Sequence, residues 1–448
     1  SRSRDTSWSS AERSILSKII MLKTFLPAIV LTLIISCSPV SRHALDKTFR
    51  QTENRFQDHT GFVLFDPVEG KTIYEFNASA YFTPASNTKI FTFFAGLNII
   101  GDSVPSIHYA IRGDSLIFWG AGDPSFLYRN VYGNNRTFSF LQTTDKRLYF
   151  SNANFNTAHF GPGWAWDDYG EAYSAERSAF PIYGNIFSVS ASQSGVNVRP
   201  SYLTRYMTMG EDSEEPKVIR NRENNYFKFY PALAWGFEKD IPLKVKPLLI
   251  GQLLADTLKR EVQVLSIPIP AETSVLYSVP ADSLYKVMMQ DSDNFIAEQL
   301  LLLCSGIISD TLQPEIAIKY VKHRLLNDMV DEPVWVDGSG LSRYNLFTPR
   351  SIVQLWEKIY QMVPRERLFA LLAQGGKSGT IRNWYNGEAP YIFGKTGTLS
   401  NNHCMSGYLV TRKGKTLIFS FMNSNFTTST NNVRRNMQGI LNLLYEKY

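Results

Sequence analysis

Two hairpin patterns bracket the chain. "GFVLFDPVEGKTIYEFNA" at 61–78 is a pair of strand-like runs around a Pro/Glu/Gly turn, and "CMSGYLVTRKGKTLIFSFMNS" at 404–424 turns at Lys413-Gly414. After the first hairpin, "TPASNTKIFTFFAGLNII" (83–100) reads as one buried helix. From 101 to 275 the texture changes to short alternating segments such as "SLIFWG", "RLYFSN" and "NIFSVSAS", broken by Gly, Asn, Asp and Pro, with one helical run at 246–260. Helical periodicity returns at 281–304 and recurs up to the second hairpin, and a helix over about 431–448 closes the chain. The ends read as one α+β domain, built from 37–100 and 276–448. It is split by a mostly β insertion over 101–275, a whole domain's worth of chain.

Composition excludes little. Of the 448 residues 44% are hydrophobic and 19% charged, ordinary globular values. Half of the net charge of +6 lies in the first 36 residues, and no basic stripe follows, so nucleic-acid binding has no support. Met21 opens "MLKTFLPAIVLTLIISCS", a lysine followed by an apolar run from Phe25 to Ile35. That layout predicts a signal peptide over the last part of 1–36 and is too short for a comfortable membrane span. Its "LIISC" ending resembles a bacterial lipobox, which predicts lipidation of Cys37 and a membrane anchor there. The alternative is an ordinary secretory signal, or a short anchor, with Cys37 incidental. Cys304 and Cys404 are left as buried thiols or as one disulfide. No His/Cys cluster predicts a metal, and the scattered histidines give no His-based triad.

The chemistry lies in three short patterns. Ser86-Asn-Thr-Lys89 puts a hydroxyl and an amine on one face, a turn apart, where a partly neutral lysine can take the serine proton. Ser292-Asp-Asn294 offers a hydroxyl to shuttle a proton and an amide to hold a carbonyl. Lys395-Thr396-Gly397-Thr398, in a strand-like run, offers a cation, two hydroxyls and a glycine beside which a carboxylate can lie. Each pattern alone is weak, and two have rivals, Ser283-Leu-Tyr-Lys286 and Lys377-Ser-Gly-Thr380. Ser283 opens an amphipathic helix, where capping explains it; on one helix it stands roughly 13 Å of rise from Ser292. Lys377 follows a helical run rather than lying in a strand.

Taken in order, the three patterns resemble the signature set of penicillin-binding proteins and serine β-lactamases. The long gap between the first two narrows this to the D-alanyl-D-alanine carboxypeptidase/endopeptidase family of low-molecular-mass penicillin-binding proteins. "GAGDPSF" (120–126), "WAWDDYGEAYSAERSAFPIYGN" (164–185), "DGSGLSRYN" (337–345) and "GKTGTLS" (394–400) resemble that family too. The resemblance implies the serine β-lactamase/DD-peptidase fold: an antiparallel sheet flanked by helices, with a helical block. It implies a hydrolase acting on peptidoglycan stem peptides in the bacterial envelope, inhibited covalently by β-lactams, without metal or cofactor. By the same resemblance Ser86 is the nucleophile, Lys89 its base and Ser292 the proton relay. Asn294, Lys395, Thr396, Gly397 and Thr398 bind substrate, and Lys395 helps keep Lys89 deprotonated. Asp123 and Asp167-Asp168 read as structural turns. The competing readings are a β-lactamase, which needs a further base, and an envelope binding protein with a dead site.

Overall fold

The computed structural model describes residues 40–131, 136–192, 195–232 and 236–448; Cys37 and the apolar run before it lie outside them. The first helix, α1 (Arg42–Phe56), buries Leu45, Phe49, Thr52 and Phe56 along one stripe. It leads into β1 (His59–Asp66) and β2 (Lys71–Phe76). Near the other end, β14 (Ala373–Gln374), β15 (Ile392–Leu399), β16 (Asn402–Val410) and β17 (Thr416–Ser424) complete an antiparallel six-stranded sheet in the order β14-β15-β16-β17-β1-β2. The two hairpins thus become neighbours, with β1 pairing β17 from His59–Ser424 to Phe65–Ile418.

Both faces of this sheet are covered, which explains strands that are apolar almost throughout. Successive side chains point to opposite faces. Leu417, Phe419 and Phe421 join α1 and the chain's closing helix, while Ile418 and Met422 join the helical block. That block contains α2 (Lys89–Ile99), α5 (Ala281–Gln290), α6 (Asn294–Ser309), α7 (Pro314–Arg324), α8 (Pro349–Met362) and α9 (Arg365–Leu371). The closing α10 (Thr430–Lys447) lays Val433, Met437, Leu441 and Leu444 on the sheet.

Between α2 and α5 lie β3 (Ser103–Arg112), β4 (Ser115–Gly120), α3 (Arg136–Thr143), β5 (Arg147–Ser151), β6 (Ile186–Ser192), β7 (Gly195–Arg199), β8 (Met207–Met209), β9 (Lys217–Arg220), β10 (Phe227–Tyr230), β11 (Phe237–Pro242), α4 (Pro247–Leu258), β12 (Val262–Leu265) and β13 (Ser274–Pro280). They make a five-stranded sheet, β12-β5-β4-β3-β13, and two three-stranded ones, β8-β10-β9 and β11-β6-β7. Their own core holds Ile107, Phe118, Phe150, Phe180, Phe187 and Leu253. Cys304 and Cys404 are buried and unpaired, so they form no disulfide.

Candidate active site

Ser86 and Lys89 do not share one helix, contrary to the reading of 83–100. Ser86 sits in a 3₁₀ turn, Ala85–Thr88, and Lys89 heads α2. In a 3₁₀ turn side chains three apart eclipse, which brings hydroxyl and amine directly together. Ser86 Oγ lies 2.9 Å from Lys89 Nζ. The turn is held from below by Asn87, whose amide donates to the Lys395 carbonyl at 3.2 Å. Its Oδ1 accepts from Ser406 Oγ at 2.5 Å, and Trp356 Nε1 donates to the same hydroxyl at 2.9 Å.

The run 281–304 is likewise two helices, not one. The chain breaks at Asp291-Ser292-Asp293, with Ser292 at φ +63°. Asp293 caps α6 by accepting from Ile296 N at 2.9 Å, and the Tyr128 hydroxyl donates to its other oxygen at 2.6 Å. Asn294 then opens α6 and aims its Oδ1 at Lys89 Nζ, 2.6 Å away, while its Nδ2 donates to the Tyr173 carbonyl at 3.0 Å.

β15 brings the third pattern. Lys395 Nζ lies 2.7 Å from both Ser292 Oγ and the Thr396 carbonyl. Gly397 is required by closeness: a Cβ there would sit 2.4 Å from the Pro84 carbonyl and 2.9 Å from Ser86 N. The two hydroxyls meet protein partners, Thr396 Oγ1 at 2.7 Å from Thr380 Oγ1, and Thr398 Oγ1 at 2.8 Å from His403 Nδ1. Burial, aided by Arg434 and Lys395, pushes His403 down to about 3, so it is neutral.

Lys89 is fully buried. Its third contact, at 2.7 Å, is the Ser339 carbonyl. A neutral amine has two N–H donors and one lone pair. Two of its neighbours are carbonyl oxygens, which can only accept; the third is a hydroxyl, which can donate. The arrangement therefore accommodates a deprotonated Lys89 with the Ser86 proton pointing at it. Burial lowers Lys89 to about 8, against the opposing pull of Asp337, Glu298 and Asp293. Lys395 is pulled well below its usual range by burial and then by the Lys89 charge. The depression of Lys89 thus comes from desolvation; the repulsion expected between the two lysines falls on Lys395.

A buried polar layer lies behind Lys89. Glu298 accepts from Ser339 N at 2.7 Å and meets the Arg177 guanidinium at 3.4 Å, both side chains nearly sealed from solvent. Desolvation, then the Asp337 charge, raises the Glu298 carboxyl. Asp337 accepts from Gly340 N and Ser342 N, each at 2.8 Å, and from Trp164 Nε1 at 3.0 Å. This fixes the loop 337–343, and Gly340 is forced in it: at φ +83°, its Cβ would sit 1.9 Å from the Ala85 carbonyl.

In front lies a cavity of about 710 Å³ lined by Ser86, Ser292, Asn294, Thr398, Arg343 and Tyr173, among others. Lys89, Lys395, Thr396 and Gly397 are absent from its wall and form the layer beneath. Asp167 and Asp168 line its mouth, where the sequence suggested only turns; Asp123 does form a turn, accepting from Ser125 N at 2.8 Å. Sequence reasoning passed over Asn87, Arg177, Glu298, the Ser339 carbonyl and Thr380. The duplicate Lys377-Ser-Gly-Thr380 was the one available signal for Thr380. The other rival stands apart: Ser283 lies in α5, and Lys286 is exposed to solvent. No group of three or more His, Cys, Asp or Glu side chains that could hold a metal occurs among the described residues, and none of their helices is long and apolar enough to cross a membrane.

Residues 41–446 match the family of D-Ala-D-Ala carboxypeptidase 3 (S13). The chain is 22% identical over 410 residues to the D-alanyl-D-alanine carboxypeptidase DacB of Haemophilus influenzae, covering 81% of this chain and 84% of that protein. It is 25% identical over 421 residues to the D-alanyl-D-alanine carboxypeptidase of Actinomadura sp. strain R39, covering 82% and 77%. Among solved structures, penicillin binding protein 4 (dacB) from Haemophilus influenzae shares the fold with a TM-score of 0.73 at 20% identity, over 89% of this chain and 99% of that one.

Proposed function

The chain belongs to the D-Ala-D-Ala carboxypeptidase 3 (S13) family, and from that premise we propose that it removes the terminal D-alanine of peptidoglycan stem peptides through an acyl-enzyme on Ser86. It is a serine-type peptidase of the cell envelope and a penicillin-binding protein. The observation that carries the residue assignment is the trio of contacts on Lys89 Nζ, two carbonyl oxygens and the Ser86 hydroxyl.

In this reading Ser86 Oγ forms a bond to the carbonyl carbon of the penultimate D-alanine while its proton passes to Lys89. The oxyanion is held by the backbone N–H groups of Ser86 and Thr398, a contribution of roughly 3 kcal/mol per donor. The C–N bond then breaks, and the departing amine takes a proton through Ser292, whose hydroxyl is oriented by Lys395. Asn294 positions Lys89 and the substrate amide, Thr398 borders the cavity where the terminal carboxylate lies, and Lys395 and Thr396 act from the layer beneath it. Water releases the acyl group. A β-lactam presents the same carbonyl and remains on Ser86. Cys37, which lies outside the described residues, supplies a lipid anchor in this proposal; incorporation of labelled palmitate that disappears in Cys37→Ala is its test.

Fluorescent penicillin tests the assignment. The expected result is stable labelling of the native protein and of Ser283→Ala, and none of Ser86→Ala. Labelling that survives Ser86→Ala overturns the nucleophile. Rapid turnover of nitrocefin in place of a stable adduct overturns the peptidase reading in favour of a β-lactamase.

A further inference from the structure

A second cavity, about 680 Å³, opens in the region between α2 and α5 and shares no lining residue with the first. Its floor is one face of the β11-β6-β7 sheet. Along β6, Val189 and Ala191 enter the core, Ser188 and Ser190 face the cavity, and the buried Ile186 and Phe187 border both. The cross-strand neighbours continue that face: Arg199 and Asp240 flank Ser188, and Asn197 and Glu238 flank Ser190. The end of α4 with the residues after it, and the segment 127–129, form the walls.

The charges here are paired with one exception. Arg129 binds Asp240 and donates to Ser188 Oγ at 3.2 Å; Ser188 in turn donates to Asp240 at 2.6 Å. Lys259 pairs with Asp256 at 3.2 Å. The Arg199 side chain has neither an ion pair nor a hydrogen bond among the described residues, and Tyr183, Ser188, Ser190 and Ser201 line the same cavity. An unpaired guanidinium in a cavity that also holds serine hydroxyls and a tyrosine suits a ligand with a carboxylate and a hydroxyl- or amide-rich body. The cavity is also tied to the active site. In the segment 127–130, Leu127 and Arg129 line it, while Tyr128 and Asn130 reach the opposite way to Asp293, the cap beside Ser292 and Asn294.

We propose that this cavity is a second binding site for the polymer, in which Arg199 takes a carboxylate of a peptidoglycan strand while another part of the polymer occupies the Ser86 cavity. The choice of polymer rests on the function proposed above. A ligand held here stands at a fixed offset from Ser292 and Asn294, because the short segment in its wall is also hydrogen-bonded to Asp293 between them.

The experiment is sedimentation of the full chain with intact peptidoglycan sacculi, before and after acylation with penicillin, for the native protein and Arg199→Glu. Acylation fills the first cavity, so the binding that remains reports the second. The expected result is that the acylated native protein still binds and that Arg199→Glu binds about tenfold more weakly, the effect of one charge-assisted contact. Both proteins are expected to take up penicillin at the same rate, which also shows that the variant is folded. N-acetylmuramic acid or a free stem tripeptide, added as competitor, identifies whether the carboxylate comes from the glycan or the peptide. The proposal is overturned if acylation abolishes binding, if Arg199→Glu binds as the native protein does, or if neither competitor displaces it. Failure of penicillin to label Ser86 would instead sink the function proposed above, and the effect of Arg199 on sacculus binding would still be read.

Discussion

If Lys89 is the base, the rate at which penicillin acylates Ser86 rises as pH passes through about 8 and levels off above it, since only the neutral amine accepts a proton. Burial is what makes this workable. Lowering the amine from 10.5 to about 8 increases its neutral fraction at pH 7 by roughly 300-fold. The carboxylates behind it work against this, which makes Glu298→Gln a sharp test. The glutamine keeps an oxygen for Ser339 N–H but removes a negative charge. Ser339 alone stands between the carboxylate and Nζ, and for unit charges several ångström apart an effective dielectric of about 20 gives an attraction on the order of 2 kcal/mol. Burial pushes Glu298 toward its neutral form, so only part of that is felt, and the rising limb should move acidward by about one pH unit. Arg177, left without its partner, moves it the same way. The variant should also melt earlier, because removing one member of a buried pair costs about 3–5 kcal/mol. The assay is the second-order acylation rate across pH, taken well below the melting transition. A variant faster than the native protein on the acid side is the expected and unusual result. A limb that stays in place or moves to higher pH would refute the argument that these carboxylates set the Lys89 proton affinity.

Other substitutions separate catalysis from stability. Lys395→Met should lower the acylation rate about 100-fold while leaving the melting temperature unchanged or higher, because it removes a buried cation whose burial is unfavourable; a lower melting temperature would contradict this. Gly397→Ala drives a methyl into the Pro84 carbonyl and Ser86 N, so penicillin labelling should fall sharply while circular dichroism stays native. Asn87→Ala removes the clamp between the serine turn, β15 and β16 and should cost about 2 kcal/mol in denaturant unfolding. Cys304 and Cys404 should both react with a thiol reagent after unfolding without reductant, and reductant should leave the melting temperature unchanged.

The sheet was legible at its two ends, and the three patterns that the fold brings together were legible by their order, because both depend on local alternation or spacing. Leu417 and Ile418 announce a strand buried on both faces whatever they pack against, and Ser86, Lys89 and Lys395 belong to short patterns with fixed chemistry. What stayed hidden is set by long-range contact. Ser292 at φ +63° interrupts a run whose periodicity is helical on both sides, and nothing within that run marks the break as strongly as the Tyr128 hydroxyl that holds Asp293 from far along the chain. Arg177 is one arginine among many until the fold places it against Glu298.

Tyr128 and Arg177 share an origin that bears on why the intervening region exists. Trp164 and Arg177 belong to the stretch between α2 and α5, yet they bond Asp337 and Glu298, which hold the loop whose Ser339 carbonyl meets Lys89. Tyr128 and Tyr173, from the same stretch, hold Asp293 and Asn294. The region therefore bonds the Ser292-Asp-Asn294 pattern directly and reaches Lys89 through the loop that Asp337 and Glu298 hold, so its removal would leave Asp293, Glu298 and Asp337 short of partners. A buried carboxylate without its partner costs several kcal/mol, so a shortened chain lacking 103–280 should fail to bind penicillin even where the six-stranded sheet still assembles. Stable labelling of such a chain would show that these contacts are dispensable and that the three patterns hold themselves in place.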